Sequence, residues 1–542
     1  MSQLTQRKKT DDKFDMKAQH KITDTKTRSE DKACEDSEKY VILILICLRI
    51  INTFLVRTSF VPDEYWQSLE VAHKSVFGYG YLTWEWKYGL RSYIYPAIFS
   101  GIYQILNSLG IDNPVTLIYG PRLFQAFLSA IGDVYLYKFV KLYFGYEIAN
   151  YGILCNCINW FWWYCSTRTI INTFETNLLC IGLYYYPWNT AHRSLSKVAI
   201  YQLIAILITV IRPTAAVIWV PLALWHIFKS RNAMVFLSYV VLSFFVLITS
   251  TLIDLFYYGK FVFVPWNFFK FNVMEDMGVH YGTHPWHWYI TQGIPAILTT
   301  QMIFFIFGAA FVMKHTFPAK LSTENLKICK CLLSLFLFTV LVYSFLGHKE
   351  FRFVLHLVPI ASLFSGISLS TFSKKMRNTS LIFLLITNVP VALYTGLIHQ
   401  RGPLEITDKL KDLLAENCIS NCPGSVLYLM PCHTTPLYSH LHLNVTTRFL
   451  TCPPNLSGIR NYSDEADQFH SNPIEWLDNN IFSQKILADR PYWILLFDSL
   501  YDKLEAYDPL DNYNICATAF HTHVPEGRTG RFLYILCKKT SR

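Results

Sequence analysis

Long apolar runs recur from Tyr40 to about His399 and then stop. About 20 apolar residues in a row are what an α-helix needs to cross a bilayer. A helix is also one of only two structures that satisfy every backbone polar group in lipid. About eleven runs are predicted to span: 40–57, 118–140, 150–166, 173–188, 198–211, 214–228, 233–256, 290–313, 328–346, 353–371 and 380–398. The run 93–110 either spans as well or lies in the interface as an amphipathic helix. Of the 542 residues, 52% are hydrophobic and 16% are charged. Soluble domains carry about 25% charged residues, so a water-exposed surface is under-supplied. The expected fold is therefore an α-helical polytopic membrane protein.

Positive charge orients the runs. Lys138 with Lys141, Arg193 with Lys197, Lys229 with Arg231, Lys314 with Lys320 and Lys327, and Lys374 with Lys375 and Arg377 share a cytosolic side only if 93–110 does not cross. Segments 58–117, 167–172, 257–289 and 347–352 are then lumenal, and so is everything after about residue 400. Residues 1–38 are polar and Lys-rich and read as a disordered cytosolic tail. The run after them reads as an uncleaved signal anchor. The formal net charge of +10 sits in the short loop clusters, so it does not point to nucleic acid.

Residues 39–399 thus read as a multispan membrane body, and 400–542 as a lumenal α/β domain. In the latter, the runs 492–496 (YWILL) and 532–536 (FLYIL) look like buried strands. Three glycosylation acceptors cluster there: Asn444, Asn455 and Asn461. Asn378 also heads an acceptor motif, but the topology predicts it bare. Cys155, Cys157, Cys165 and Cys180 lie in apolar runs and read as small apolar residues. Cys418, Cys422, Cys432, Cys452, Cys516 and Cys537 would face an oxidising compartment, with fifteen pairings open. Cys418 and Cys422, spaced C-x3-C, lack the partners of a zinc site.

Candidate chemistry begins directly after the first run, at Pro62-Asp63-Glu64. Two readings stay open. The acids occupy the first turn of a helix that begins at the proline, where they suit the dipole. Alternatively, one carboxylate is a general base that takes a proton from an attacking sugar hydroxyl. A second feature is Gly347-His348-Lys349-Glu350-Phe351-Arg352 between two spans. Positive charge on the lumenal side runs against the usual bias and suggests a bound anion such as a lipid phosphate. Internal neutralisation by Glu350 is the rival reading. Arg168, Glu175 and Arg212 lie at membrane depth, where ionisable groups commonly mark a site; the rival reading is that, near a lumenal end, they simply snorkel. The segment 257–289 carries Trp266, His284, Trp286 and His287 among other aromatics, and reads as a cover over a sugar site, with a plain aromatic belt as the alternative. His280, His284 and His287 have no second ligand cluster, so no metal is expected. There is no phosphate loop and no dinucleotide fingerprint, so a cytosolic nucleotide-sugar donor is unsupported.

The strings FVPDEYWQSLEVAH (60–73), YGYLTWEWKYGLRSY (79–93), YGTHPWHWYITQG (281–293), HKEFRF (348–353), PCHTTPLYSHLH (431–442), FLTCPP (449–454) and HTHVPEGRTGRF (521–532) resemble the mannosyltransferases that use dolichyl phosphate mannose. These are glycosyltransferase family 22, with the class C membrane fold. The resemblance covers nearly everything after residue 40. Within the family it points to the branch that builds glycosylphosphatidylinositol (GPI). It implies α-1,2 transfer of the third core mannose to a GPI precursor glycolipid in the endoplasmic reticulum membrane. It also implies an inverting displacement and no cofactor beyond the donor substrate. Asp63 and Glu64 would then be catalytic. His348, Lys349 and Arg352 would hold the donor phosphate, with Arg168 and Arg212 as further phosphate candidates. Trp266, His284, Trp286 and His287 would contact substrate. The wider family usually has His before Pro-Asp-Glu and a second Glu in HKEERF, where this chain has Val61 and Phe351. Two rival functions remain: a lumenal mannosyltransferase of N-glycan assembly, and a lipid transporter or scramblase. The latter would be expected to show internal repeats, and none is found.

Overall fold

A computed structural model describes residues 38–188, 195–275, 277–278, 282–314, 322–417, 425–456, 459–482 and 490–539. The N-terminal tail, Arg193, His280, Lys320, Cys418 and Cys422 lie outside the described residues.

Helix occupies every predicted run, but not as eleven uninterrupted rods. By length and apolarity alone, five described helical stretches suffice to cross a membrane: Pro114–Phe144, Ala233–Tyr258, Thr323–Phe345, Phe351–Thr371 and Lys374–Glu416. A sixth counts if Tyr289–Leu298 and Gln301–Lys314, bent by 109°, form one span. The other runs are shorter or broken, and the breaks have visible causes. Asn159 ends Tyr146–Ile158 and caps Trp160–Cys165 by accepting from the Trp162 amide at 2.8 Å. Its own amide donates to the Ile297 carbonyl and to Gln301, both at 2.9 Å, fastening one break to the other. Such interruptions are tolerated at membrane depth only where protein, not lipid, surrounds them.

Small residues let the helices close up. A Cβ on Gly366 would lie 2.5 Å from the Gly152 backbone nitrogen, and one on Gly308 2.0 Å from the Phe364 carbonyl. Close backbone approach of this kind drives helix association in lipid. A buried polar network joins the first helix, residues 38–55, to its neighbours. Arg49 Nε donates to Asp133 at 2.7 Å, and Asp133 also accepts from Asn156 and from Trp162 Nε1.

The C-terminal part holds a five-stranded mixed sheet in the order β2-β1-β3-β5-β4. The strands are β1 (Ser425–Leu429), β2 (Thr446–Phe449), β3 (Trp493–Phe497), β4 (Tyr513–Phe520) and β5 (Phe532–Lys538). The two runs predicted as strands are β3 and β5. They pair antiparallel with Ile494 opposite Leu536, while β1 runs parallel to both β2 and β3. Disulfides join Cys432 to Cys452 and Cys516 to Cys537. The expected boundary at residue 400 is not a boundary in packing. One face of the sheet (Val426, Tyr428, Leu495, Ile535), with Ile406 and Leu410, belongs to the same core as the membrane helices. The other face builds its own cluster with Phe469, Trp476 and Leu477.

Segment 433–442 docks this layer onto the helical segment that follows Pro62. Glu70, fully buried, accepts from the Leu437 and Ser439 amides and from the Ser439 hydroxyl. His73 Nε2 lies 3.1 Å from His442 Nδ1. The Trp66 ring packs 4.8 Å from His433, and Tyr65 5.2 Å from His440. Burial lowers the pKa of His73 and His433 to about 4 and of His440 to about 3.

Two outcomes are expected. Gly366→Val should lower the melting temperature and yield of detergent-purified protein, since overpacking costs about 1–3 kcal/mol. Gly101→Ala, inside a helix and with nothing within 4 Å of its added Cβ, should lower neither. The buried histidines set a pH dependence. Above the ordinary value of 6.5 they are neutral folded or unfolded, so their contribution is complete. Below it the unfolded chain takes protons that the folded chain refuses. Stability should therefore fall as the pH drops from 6.5 toward about 4, and His433→Gln should flatten that slope in thermal melts.

Candidate active site

The four segments predicted to share one side of the membrane meet in one cluster. Residues Asp63 and Glu64 open the helical segment after Pro62, which continues through a π-turn at Tyr65–Leu69. π-turns inside helices often mark functional sites. Neighbours on a helix point about 100° apart, and these two carboxylates have opposite surroundings.

Glu64 is buried, and its Oε2 accepts from Arg168 Nη1 at 2.8 Å. Arg168 is itself fully buried. Its Nη1 also donates to the Thr58 carbonyl at 2.6 Å, its Nη2 to Thr58 Oγ1 at 3.0 Å and its Nε to the Tyr164 carbonyl at 2.9 Å. Its guanidinium lies 4.2 Å from the Tyr164 ring. Arg168 was expected as a phosphate contact; instead it is the counter-ion that seals Glu64.

Asp63 faces outward, with its side chain 25% exposed. Its Oδ2 accepts from Arg352 Nη1 at 2.5 Å, and its Oδ1 has no hydrogen bond among the described residues. Arg352 Nε and Nη2 form a fork onto Glu350, both at 2.6 Å. His348 Nε2 completes the set by donating to Glu350 Oε1 at 3.1 Å. The result is a chain of alternating charge: His348, Glu350, Arg352, Asp63. Burial works against a cation at His348, but the Glu350 carboxylate outweighs it and holds the imidazole above its ordinary pKa. Glu350, despite its own burial, is held well below the usual carboxylate range by Arg352 and His348. Neutralisation by Glu350, the rival reading of the sequence, is thus present in the structure.

Lys349 also differs from expectation. It is buried, and its ammonium donates to the carbonyls of His284, at 2.8 Å, and of Leu346. It therefore acts as a clamp between two loops. The His284 amide donates to the Gly347 carbonyl, and His348 Nδ1 to that of Gly282. The His284 ring stacks on Trp288, which packs on Phe351. Segments 282–293 and 348–353 are thus one structural unit. Arg212 pairs with buried Glu175, and its guanidinium lies 5.7 Å from the Phe353 ring, which Arg352 approaches at 5.5 Å. Trp266 and Trp286 are largely exposed, and neither they nor His287 make a described contact with Asp63.

Sequence reading passed over several residues that border the site. Arg91 pairs with Glu85 at 2.9 Å, and Gln67 donates to Glu85 at 3.3 Å. His433 comes from the C-terminal layer with a backbone φ of 65°, unusual for a residue other than glycine. It lies within electrostatic reach of Asp63. The string around each was visible, but nothing local tied it to Asp63. Cys432, His433 and Cys452 lie close enough together to hold a metal, but the two sulfurs are spent in a disulfide.

Known proteins bear on this geometry. The profile of the Alg9-like mannosyltransferase family matches residues 40–442. The chain is 43% identical over 521 residues to the mouse protein named GPI alpha-1,2-mannosyltransferase 3, covering 96% of this chain and 92% of that one. It is 44% identical over 502 residues to the human protein of the same name, covering 92% and 87%. Among solved structures, ArnT from Cupriavidus metallidurans bound to undecaprenyl phosphate aligns with a TM-score of 0.58. That alignment covers 92% of this chain and 97% of ArnT at 11% identity, so it speaks for the class C membrane fold alone. By profile and by identity along nearly its whole length, the chain belongs to the Alg9-like mannosyltransferase family.

Proposed function

We propose that this chain transfers mannose in α-1,2 linkage from dolichyl phosphate mannose to the GPI precursor, adding its third mannose on the lumenal side of the endoplasmic reticulum membrane. The observation that carries the reading is the division of labour at Asp63 and Glu64. One carboxylate is sealed by Arg168, and the other is turned outward with an oxygen to spare. The names of the mouse and human relatives support the acceptor and the linkage.

The chemistry needs one base. A hydroxyl oxygen of the acceptor's second mannose attacks the anomeric carbon of the donor, opposite the phosphate. Its proton passes to Asp63. The bond from the anomeric carbon to the phosphate oxygen breaks, and its electron pair leaves with dolichyl phosphate. A β-linked donor then gives an α product in one displacement. Arg352 holds Asp63 in place, and Glu350 with His348 holds Arg352. Glu64 anchors the loop instead of reacting. The proposal requires no cofactor. In the membrane it keeps the eleven crossings with a cytosolic N-terminus. Helix Ile94–Ser108 lies on the lumenal surface, where it packs against Glu70–Phe77.

The decisive assay supplies dolichyl phosphate mannose to microsomes from cells lacking the endogenous activity. The chain should convert the two-mannose GPI precursor to the three-mannose form. Asp63→Asn should cut transfer by about 10² to 10⁴, the usual weight of a general base, at unchanged abundance. Glu64→Gln should instead lose abundance, because breaking a buried ion pair costs about 3–5 kcal/mol. Elongation of an N-glycan precursor would replace the acceptor, and near-normal transfer by Asp63→Asn would remove the base.

Topology has its own test. Asn444 and Asn461 are exposed, whereas the Asn455 amide donates to the Ile459 carbonyl at 2.8 Å. Endoglycosidase should raise the gel mobility of the wild-type chain but not of the Asn444→Gln, Asn461→Gln double variant. Unchanged wild-type mobility, together with cleavage of the C-terminal part by protease added to sealed microsomes, would invert the orientation.

A further inference from the structure

The proposed reaction releases a phosphate monoester beside Asp63, and the inference below rests on that reading. An anion leaving there calls for a cation with donors to spare. Arg168 has every nitrogen engaged. Arg352 is committed at Nε, Nη1 and Nη2 to Glu350 and Asp63. Lys349 is buried against two carbonyls. Among the described residues Arg212 engages only Nη1, on buried Glu175, but its side chain is just 11% exposed.

Arg91 combines spare donors with the greatest exposure of the five. Its side chain is 32% exposed. Among the described residues only its Nη2 has a hydrogen bond, to Glu85, which leaves Nε and Nη1 free. It lies within electrostatic reach of both Asp63 and Arg352. The chain around it is fixed with unusual care by the end of helix Ala233–Tyr258. Tyr258 Oη donates to the Arg91 carbonyl at 2.8 Å. The Tyr93 amide and the Ser92 hydroxyl donate to Asp254 Oδ1 at 2.7 and 3.0 Å. The Tyr93 ring stacks on Tyr257 at 4.8 Å. Asp254 is buried in a candidate membrane span, where a carboxylate is costly. Its described hydrogen bonds all go to the two residues after Arg91. The side chain is steered separately, by Glu85, which Gln67 holds in turn.

We propose that Arg91 is the cation that receives the phosphate of the polyprenyl donor, with Glu85 and Gln67 as positioning residues. As the anomeric carbon–oxygen bond breaks, charge grows on the phosphate oxygens, and the free Nε–H and Nη1–H of Arg91 donate to them. A planar guanidinium suits two phosphate oxygens at once, which an ammonium does not. Arg352 then remains on Asp63, so base and phosphate are served by different arginines.

The test uses the full-length protein in detergent with dolichyl phosphate mannose as donor and dolichyl phosphate as competing product. Wild type is measured first. If it neither uses this donor nor is inhibited by dolichyl phosphate, the functional reading fails before any variant is compared. Given that activity, Arg91→Gln should raise the inhibition constant of dolichyl phosphate and the donor KM by about 10- to 100-fold, the weight of one charge-assisted hydrogen bond. The acceptor KM should stay unchanged. Arg91→Lys should recover part of the loss, and Glu85→Gln should raise both donor constants by less. Dolichyl phosphate affinity should survive in Asp63→Asn. Wild-type donor and product constants in Arg91→Gln would overturn the proposal. A loss confined to the acceptor KM would also overturn it, by assigning Arg91 to a phosphate of the acceptor lipid. If Arg91→Gln does not fold, Arg91→Lys and Glu85→Gln decide: wild-type donor constants in both would overturn the assignment.

Discussion

A carboxylate removed from water must find a cation, and Glu64 finds Arg168. The pair is buried on both sides, and Arg168 spends its remaining donors on Thr58 and Tyr164. Three pieces of chain meet at one guanidinium: the end of the first helix, the first loop and the segment after Trp160–Cys165. A buried ion pair is poor evidence of net stability, but it is strict about geometry, because each partner is expensive without the other. Fixing Glu64 leaves Asp63 little choice of direction.

The second constraint is that loops at the end of a helix bundle have no sheet to hold them, so their polar side chains do it. Lys349 grips two carbonyls, and His348 bridges Gly282 to Glu350. Glu350 in turn carries Arg352 to Asp63. A string read from sequence as a row of anion-seeking cations is mostly internal fastening. The usual bias against positive charge on that side was a sound premise. Backbone carbonyls and one glutamate absorb that charge locally.

The helical runs and the strands at 492–496 and 532–536 were legible in the sequence. Each depends on local pattern: apolar length, or burial of a short run. Partner choice was not legible. Arg49 and Asp133 stand 84 positions apart, Tyr93 and Asp254 161, and Glu70 and Ser439 369. No periodicity reports such distances. The helix breaks were hidden for the same reason, since Asn159 stops one helix in order to hold Ile297 and Gln301. Arg91 was quoted within a string and still overlooked, because its neighbours in sequence are ordinary and its neighbours in space are Asp63 and Arg352.

The C-terminal layer is easily taken for an appendage, and its packing argues otherwise. The helical segment that starts at Asp63 has one side on Arg168 and the other on residues 433–442. Glu70, His73, Trp66 and Tyr65 all meet that segment. The segment is tied at one end by the Cys432–Cys452 disulfide, next to a residue held at positive φ. Backbone strain persists only where the surroundings over-determine it. The surroundings here are the ring of Trp66 and the charge of Asp63. The hydrophobic core runs without interruption from the membrane helices into one face of the sheet, so the sheet cannot shift without carrying segment 433–442 and the helix beneath it. Asp63, its arginine and the residues of segment 433–442 therefore form one packed arrangement built from both ends of the chain.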